Sequence, residues 1–395
     1  MAVAPDERAA VLERTRALKM ARSVHAYVRG NTAQFYEWLA ESKVARSIPE
    51  GPPVWICGDC HLGNLGPLAD ADRHVDIQIR DLDQTVIGNP AHDLIRLGLS
   101  LETAARSSDL PGVTTAQMIE AMIDGYSRAM TPTREDDPRE PDVVRSVRRE
   151  AIGRRWRHLA KDRLEDVEPT IPHNKRFWKL ARVEKDAIEA LFAERPVRAK
   201  SMELAGVTGA GTLRVVDAAY WRKGCSSLGR LRYAVLIGIS DGKAKTERLA
   251  LVDIKEAVPP VVPVAKKAAM PADFGERVLA GAKALSPNLG DRMIAAHILG
   301  KPVILRELAP QDLKIEIDQF SRKEAIVAAA YLSFIVGEAH ARQLSDEARL
   351  AWRDKLTARD GTLDAPSWLW EAIVSLAGSH ETGYLQHCRR FALKR

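Results

Sequence analysis

The stretch that decides the fold is VWICGDCHLGNLGPLADADRHVDIQIRDLDQTVIGNPAHDLIRL, residues 54–97. Its first residues predict a short buried strand that leads to Gly58-Asp59 on a loop, and Asn64 follows on the same loop. Beyond Asn64, apolar leucines, a polar turn at 69–72 and alternating apolar and polar residues at 75–80 predict a β-hairpin. The second arm of this hairpin ends at Asp81-Leu82-Asp83.

A β-hairpin brings its two ends together, so the sequence predicts that Asp59 and Asn64 lie close to Asp81. Their carboxylate and amide oxygens suit Mg²⁺, a hard cation that binds one or two carboxylates together with phosphate oxygens. The supply of thiols and imidazoles is poor for zinc or copper. We therefore predict a metal–nucleotide site with Asn64 and Asp81 as ligands. Asp83 is either a ligand for a second ion or a solvated acid beside them.

Three motifs carry a resemblance to a known group of enzymes. They are Gly58-Asp59-Cys60-His61-Leu62-Gly63-Asn64, Asp81-Leu82-Asp83 and Gly88-Asn89-Pro90-Ala91-His92-Asp93-Leu94. Together they resemble the aminoglycoside and choline phosphotransferase branch of the protein-kinase-like superfamily. The chain resembles more closely an uncharacterised bacterial family, a domain of unknown function placed in that superfamily. That likeness also takes in Arg29-Gly30, Lys255-Glu256-Ala257 and Ala339-His340-Ala341-Arg342, and so spans most of the chain.

The resemblance implies a catalytic loop with the spacing D-x-x-x-x-N, in which Asp59 orients and deprotonates the acceptor and Asn64 binds Mg²⁺. It also implies that His61 orients this loop and that Asp93 braces it from behind. From the sequence alone, Asp93 is a carboxylate favoured in the first turn of a helix. We expect His340 to be a packed helix-end residue rather than a ligand, and we assign Arg29 no role.

A second group of motifs suggests a nucleotide-binding sheet, with strands predicted at 213–221, 231–239 and 249–255. A turn containing Gly224, Ser226, Ser227 and Gly229 would let backbone N–H groups approach phosphates. This turn departs from G-x-G-x-x-G at Ser226, and it matches neither a Walker A loop nor a nucleophile elbow. Lys255 would contact the α and β phosphates, or would only keep an edge strand soluble.

The order of the elements predicts an α+β chain with a circularly permuted, protein-kinase-like two-lobed fold. Helices are predicted at 114–131, 142–164, 174–194, 272–285 and 321–345, and a strand at 302–308 would lead into the interlobe hinge. Glu276, the only glutamate of the 272–285 helix, is the candidate partner of Lys255. Residues 1–205 and 319–395 would form a mostly helical large lobe, and 206–318 a small antiparallel-sheet lobe. The alternative is that the 213–255 strands belong to an unrelated substrate-binding domain.

The composition argues against a membrane protein and favours a protein that binds an anionic ligand. The chain has 395 residues, of which 46% are apolar and 28% charged, and no apolar run approaches the ~18 residues of a membrane span. The N-terminus is charged throughout, so we expect a cytoplasmic protein with no membrane partner. A formal charge of +6 suits an anionic ligand. Much of the excess lies between Arg145 and Arg163, which is either a solvated helix face or a phosphate or nucleic-acid surface.

We therefore predict an ATP- and Mg²⁺-dependent phosphotransferase that acts on an unknown small-molecule or protein acceptor. Nucleotidyl (AMP) transfer on the same fold and a nucleotide-binding pseudoenzyme are the alternatives. A more remote one is haem or redox chemistry at Cys57-Gly58-Asp59-Cys60-His61, which matches the C-x-x-C-H pattern of haem attachment. The simpler interpretation is that these cysteines are small buried residues of the core. A basic nucleic-acid-binding protein is also remote, because we find no recognisable nucleic-acid-binding motif.

Overall fold

The computed structural model describes residues 3–70, 72–133, 137–154, 170–204, 207, 211–224, 228–240, 247–313, 321–358 and 365–392. Within these ranges the helices are α1 (Arg8–Met20), α2 (Val24–Gly30), α3 (Thr32–Glu41), α4 (Ala91–Ser107), α5 (Gly112–Ala129), α6 (Asp142–Gly153), α7 (Arg182–Ala193), α8 (Arg195–Leu204), α9 (Phe274–Leu285), α10 (Pro287–Gly290), α11 (Arg322–Ala341), α12 (Asp346–Thr357) and α13 (Ser367–Phe391). The strands are β1 (Val54–Ile56), β2 (Leu65–Ala69), β3 (Val75–Ile79), β4 (Val86–Gly88), β5 (Phe177–Trp178), β6 (Thr212–Trp221), β7 (Arg232–Ser240), β8 (Arg248–Glu256), β9 (Met293–Ile298) and β10 (Lys301–Glu307).

Six strands form one antiparallel sheet with the order β5-β6-β7-β8-β10-β9. The central strand β7 is buried on both faces, because apolar cores cover the sheet on either side. Val235 and Ile237 belong to one core, which α7 and α8 complete, and Ala234 and Leu236 belong to the other. This alternation is the period of two that a strand imposes on its side chains.

The predicted helix at 174–194 is wrong in its first part, because Phe177–Trp178 form strand β5 and α7 begins only at Arg182. Phe177 lies opposite Trp221 and Trp178 opposite Tyr220, with stacked rings whose centroids are 5.6 and 5.9 Å apart. Such cross-strand aromatic pairs stabilise a sheet, but local periodicity does not reveal a partner so distant in sequence. The predicted unit boundary at residue 205 stays a prediction; β5, α7 and α8 all contribute to the cores of the sheet.

The remaining elements form a helical body around two small antiparallel pairs, β1 with β4 and β2 with β3. The predicted hairpin is confirmed, with Leu65 opposite Ile79 and Ala69 opposite Val75. Helix α11 is long and apolar enough to cross a membrane, but 67% of its apolar window is buried, as in the core helix of a soluble protein. The predicted mixed α+β composition with antiparallel sheets is confirmed.

Close packing of α5 against α11 yields a testable prediction. A Cβ atom on Gly125 would lie 2.0 Å from the carbonyl oxygen of Ala330, so the backbones of the two helices touch at this point. We expect Gly125→Ala to lower the free energy of unfolding by roughly 1–3 kcal/mol or more, because the helices must separate. Gly112→Ala is the matched control, since a Cβ at Gly112 meets nothing within 4 Å. Thermal unfolding checks both variants, and equal midpoints would contradict the prediction.

A buried histidine on α13 predicts acid sensitivity. His380 is fully buried, its Nδ1 lies 3.1 Å from the carbonyl oxygen of Leu376, and its Nε2 has no partner among the described residues. Burial, followed by the charge of Arg96, lowers the pKa of His380 to about 3. The unfolded chain therefore binds more protons between that value and about pH 6.5, so stability is lost as the pH falls through this window.

His380→Phe should remove this part of the pH dependence, because phenylalanine keeps the edge contact with Tyr27 and does not titrate. Wild type should lose about 2 kcal/mol more than the variant between pH 7 and pH 5. Unfolding midpoints measured across this range test the prediction. Identical pH profiles for the two proteins would show that His380 does not cause the sensitivity.

Candidate active site

A buried hydrogen-bond network holds the loop that follows β1. Asp93, in the first turn of α4, is fully buried and accepts hydrogen bonds from the backbone N–H groups of Cys57 (2.7 Å) and Gly58 (2.9 Å). His340 Nε2 lies 3.2 Å from the same carboxylate, and His340 Nδ1 lies 2.8 Å from the hydroxyl of Tyr126. We predicted His340 to be a packed helix-end residue. It is fully buried near the end of α11, and its ring also links Asp93 to Tyr126 in the core.

Gly58 makes the sharp turn that the loop requires. Its φ of +74° lies in the left-handed region, and a Cβ atom there would be 2.5 Å from the carbonyl oxygen of Gln84. Only glycine meets both demands without strain. The hydroxyl of Tyr36 donates to the Gly58 carbonyl at 2.7 Å, which closes the loop from the side of α3.

Asp59 follows this turn and forms an ion pair that the sequence did not reveal. Its Oδ1 accepts from Arg96 Nε at 3.0 Å and from Arg96 Nη2 at 2.9 Å, and Arg96 is fully buried in α4. Burial raises the pKa of Asp59, and the Arg96 charge together with a hydrogen bond from Thr32 opposes this rise. An arginine inside the apolar run Leu94–Leu101 was the available signal, because a buried cation needs a buried anion.

The hairpin brings Asn64 and Asp81 together, as predicted. The Arg80 N–H donates to the Asn64 carbonyl at 2.7 Å, which ties the two ends of the hairpin to each other. The Asn64 side-chain N–H₂ donates to the Asp59 carbonyl at 2.8 Å, so its Oδ1 is the atom that remains for a metal. The Asp81 side chain is 43% exposed and lines the same cleft as Asn64.

Lys255, near the end of β8, reaches this site from the sheet. Its Nζ lies 3.1 Å from Asp81 Oδ1, and it also forms a close ion pair with Asp83. Burial acts to raise the pKa of Asp81, but the charge of Lys255 outweighs it and holds this pKa below its ordinary value. Burial and the neighbouring Asp81 charge raise the pKa of Asp83 to about 6. The three side chains form one coupled charge cluster.

A cleft of about 440 Å³ opens beside this cluster, and we call it the basic cleft. Its lining includes seven basic side chains but Asp81 as its one carboxylate among the described residues; the basic residues are Lys19, Arg22, Arg29, Arg80, Lys223, Arg232 and Arg306. Burial lowers the pKa of Lys223 well below its ordinary value. His61, Gly63 and Asn64 of the loop line it, whereas the Asp59 side chain is directed to Arg96. The volume falls in the range of about 300–1,000 Å³ of small-molecule sites.

A smaller recess of about 70 Å³ continues from the basic cleft toward α9 and β10. Arg80, Asp81, Arg232 and Arg306 border both spaces, and the apolar lining of the recess consists of Leu82, Ala257, Val278, Leu289, Met293 and Ile304. At this volume the recess alone does not reach the size of a small-molecule pocket. The recess is also lined by Asp83, Asp253, Lys255 and Glu256, so its lining is mixed. The structure thus joins a roomy cationic cleft to a narrow recess of charged and apolar side chains at Asp81.

Most of the chain matches a known protein family. A family described as an uncharacterized protein conserved in bacteria, DUF2252, matches residues 8–390. The chain belongs to the DUF2252 family. The searches of curated proteins and of solved structures found no match to this DUF2252 protein.

Two of the other predicted phosphate-binding residues of this DUF2252 protein, Gly224 and Gly229, lie in described parts of the β6–β7 connection. Gly224 lines the basic cleft with a φ of +86°, and its carbonyl accepts from Lys19 Nζ at 3.1 Å. Gly229 also has a positive φ, of +95°. Ser226 and Ser227 lie outside the described residues.

Glu276 is not brought to Lys255. It lies exposed in the first turn of α9, where its backbone N–H donates to the capping side chain of Asp273. The next residue, Arg277, is buried instead and donates to the carbonyl oxygens of Thr85, Asp83 and Val258. Register along this helix, which a sequence pattern places only within a residue or two, decides which side chain faces the site.

Arginines in the described part of the Arg145–Arg163 segment have partners within the protein. Arg145 pairs with Asp142 at 2.9 Å and Arg148 with Glu140 at 2.8 Å, while Arg154 donates to the carbonyl of Pro310. Residues 155–163 lie outside the described residues. The predicted phosphate or nucleic-acid surface on this segment stays a prediction.

The C-x-x-C-H residues of the DUF2252 protein are packed in the helical body. Cys57 and Cys60 are both fully buried, and a hydrogen bond between the two thiols, with burial, raises the pKa of Cys57. Burial and the nearby Arg29 charge lower the pKa of His61, so its ring is neutral at pH 7. Among the described residues, no group of three or more His, Cys, Asp and Glu side chains is arranged to hold a metal ion.

Proposed function

We propose that this protein is a Mg²⁺-dependent phosphotransferase that uses ATP and works in the basic cleft. The observation that carries the proposal is the position of Asp81 where the cleft meets the recess. Asn64 lines the cleft beside it, and Lys255 lines the recess with its Nζ 3.1 Å from Asp81 Oδ1. A side-chain amide oxygen and a carboxylate fit Mg²⁺, which takes its remaining ligands from water and phosphate oxygens. The sheet-side cations Arg80, Arg232 and Arg306, which line the cleft beside Asp81, suit a triphosphate.

Each residue then has a defined task. Mg²⁺, when bound, would neutralise the charge that develops on the transferred phosphoryl group. Asn64 and Asp81 would hold it, and Lys255 would place its ammonium beside the phosphates. Asp59 would orient the acceptor hydroxyl and take its proton as the acceptor oxygen bonds to the γ-phosphorus and the bond to the β-γ bridging oxygen breaks.

The order of the elements supports a circularly permuted kinase-like fold as the framework of this site. The loop with Asp59 and the hairpin come first in the chain, and the sheet with Lys255 comes later, followed by β10 and α11. A kinase-like chain has the sheet first, so the same parts occur in another order. We also propose a cytoplasmic location, where ATP and Mg²⁺ are plentiful.

One observation favours a second candidate, a nucleotide-binding protein without transfer activity. The Asp59 carboxylate receives two hydrogen bonds from the buried Arg96 guanidinium, and an oxygen so engaged is a poor base. Asp59 serves as a base only if its other carboxylate oxygen reaches the acceptor. Both candidates therefore bind ATP at the same site, and the first alone transfers a phosphoryl group to an acceptor.

Calorimetry of ATP with and without Mg²⁺ tests the shared site, and labelled ATP tests the chemistry. We expect metal-dependent binding and the transfer of label from the γ position when an acceptor is supplied from a metabolite extract. Label transfer from the α position would show nucleotidyl transfer instead. Binding without transfer from either position supports the second candidate, and no binding by well-folded protein would refute both.

A further inference from the structure

One wall of the basic cleft comes from the N-terminal helices and not from the sheet. It consists of Lys19 on α1, Arg22 after α1 and Arg29 on α2, and we call it the N-terminal wall. It faces His61 and Gly63 of the loop, since a Cβ atom on Gly63 would lie 2.7 Å from Arg29 Nη2. Arg29 therefore lies directly against the loop that carries Asp59.

The cations on the sheet side of the cleft have protein partners. Arg232 forms a bidentate ion pair with Asp253, with both nitrogens within 2.9 Å of the carboxylate. Arg306 pairs with Asp312 at 2.9 Å, and Arg80 donates to the Asp312 carbonyl at 3.1 Å. The buried acids Asp253 and Asp312 thus offset part of the positive charge on this side.

Two arginines of the N-terminal wall differ in this respect. Among the described residues, the guanidinium groups of Arg22 and Arg29 have no hydrogen-bond or ion-pair partner. Lys19 donates to the Gly224 carbonyl at 3.1 Å. His61 is 5% exposed, lines the cleft, and its Nδ1 also has no partner among these residues. An unpaired arginine and an unsatisfied buried ring nitrogen beside one cleft indicate that a ligand completes their hydrogen bonds.

We infer that the N-terminal wall binds an oxyanion of the phosphate class carried by a small-molecule acceptor. The planar guanidinium of Arg29 is suited to bidentate binding of such a group. His61, whose Nδ1 has no partner among the described residues, would add one further hydrogen bond as its Nδ1–H tautomer. The inference rests on the proposed function, because that function places the acceptor at the Asp59 loop while Asn64, Asp81 and Lys255 hold the nucleotide.

Binding of inorganic phosphate to protein saturated with Mg²⁺ and a non-hydrolysable ATP analogue tests this inference. Phosphate should bind the loaded wild type, and Arg29→Gln should weaken it at least tenfold while leaving analogue affinity unchanged. Arg29→Lys should restore only part of the affinity, since it keeps the charge and loses the planar fork. Arg182→Gln is the control, because Arg182 lies outside the cleft lining and its side chain is 95% exposed.

The outcomes separate this inference from the proposed function. Equal phosphate affinity in wild type and Arg29→Gln would overturn the inference, as would a loss of analogue affinity with no phosphate binding to the loaded protein. In the latter case Arg29 binds the nucleotide itself. Arg29-dependent phosphate binding without any analogue binding would retain the oxyanion site and refute the proposed function. A single-stranded oligonucleotide that displaces phosphate at far lower concentration would overturn the small-molecule assignment.

Discussion

Replacement of Asp81 by asparagine should remove the Mg²⁺-dependent part of ATP binding. We expect affinity at saturating Mg²⁺ to fall by on the order of 100-fold, because a neutral amide replaces the carboxylate that would ligate the metal. Asp81 is the one carboxylate among the described residues that line the basic cleft, whereas the neighbouring Asp83 lines the recess and is paired with Lys255. Calorimetry with and without Mg²⁺ measures the effect.

The fold should survive this change. The Asp81 side chain is 43% exposed, and Lys255 keeps its ion pair with Asp83 when Asp81 is neutral. Asp291→Asn is the matched control, since Asp291 is exposed and lies outside the cleft. If Asp81→Asn binds Mg²⁺-ATP as tightly as this control, Asp81 is not a metal ligand and the proposed site is wrong.

The sequence predicted the parts of this site that depend on local pattern. Alternation at 75–80 and the polar turn before it predicted the β2–β3 hairpin, and hairpin geometry then required Asn64 to approach Asp81. The strands β6, β7 and β8 were also predicted from local pattern. Their order in the sheet follows because consecutive strands usually lie next to each other. Lys255 reaches Asp81 from the third of these strands.

Contacts between distant segments were not predictable in this way. The Asp59–Arg96 pair joins a loop to the middle of a helix, and nothing in the spacing of these residues indicates which buried acid an apolar-helix arginine meets. The same holds for Glu276 and Arg277, where a rotation of one residue around α9 exchanges the exposed and the buried side chain. Tertiary packing determines both, and one sequence does not reveal it.

The largest effect on stability is expected at Asp93. Asp93→Ala would leave the N–H groups of Cys57 and Gly58 buried without this acceptor and would remove the carboxylate that lies 3.2 Å from His340 Nε2. We expect the free energy of unfolding to fall by roughly 3–5 kcal/mol, the usual cost of removing one member of a buried charged network. Asp124→Ala is the control and should cost under about 0.5 kcal/mol, because Asp124 is exposed on α5 and pairs with Arg128 at 2.9 Å as a surface ion pair.

A milder variant of the Asp93–His340–Tyr126 network shows whether this network also positions the loop that carries Asp59. Tyr126→Phe removes the hydroxyl that lies 2.8 Å from His340 and accepts from Trp352 at 3.3 Å, but leaves Asp93 bonded to the loop. It should cost about 1 kcal/mol, the net value of a typical hydrogen bond, and should leave Mg²⁺-ATP affinity unchanged. Asp93→Ala, studied below its lowered unfolding midpoint, should lose metal-dependent binding because Asn64 is fixed through the Asp59 carbonyl of the same loop. If Asp93→Ala is as stable as Asp124→Ala, the bonds to Cys57 and Gly58 do not hold the loop, and the position of Asn64 must depend on the hairpin alone.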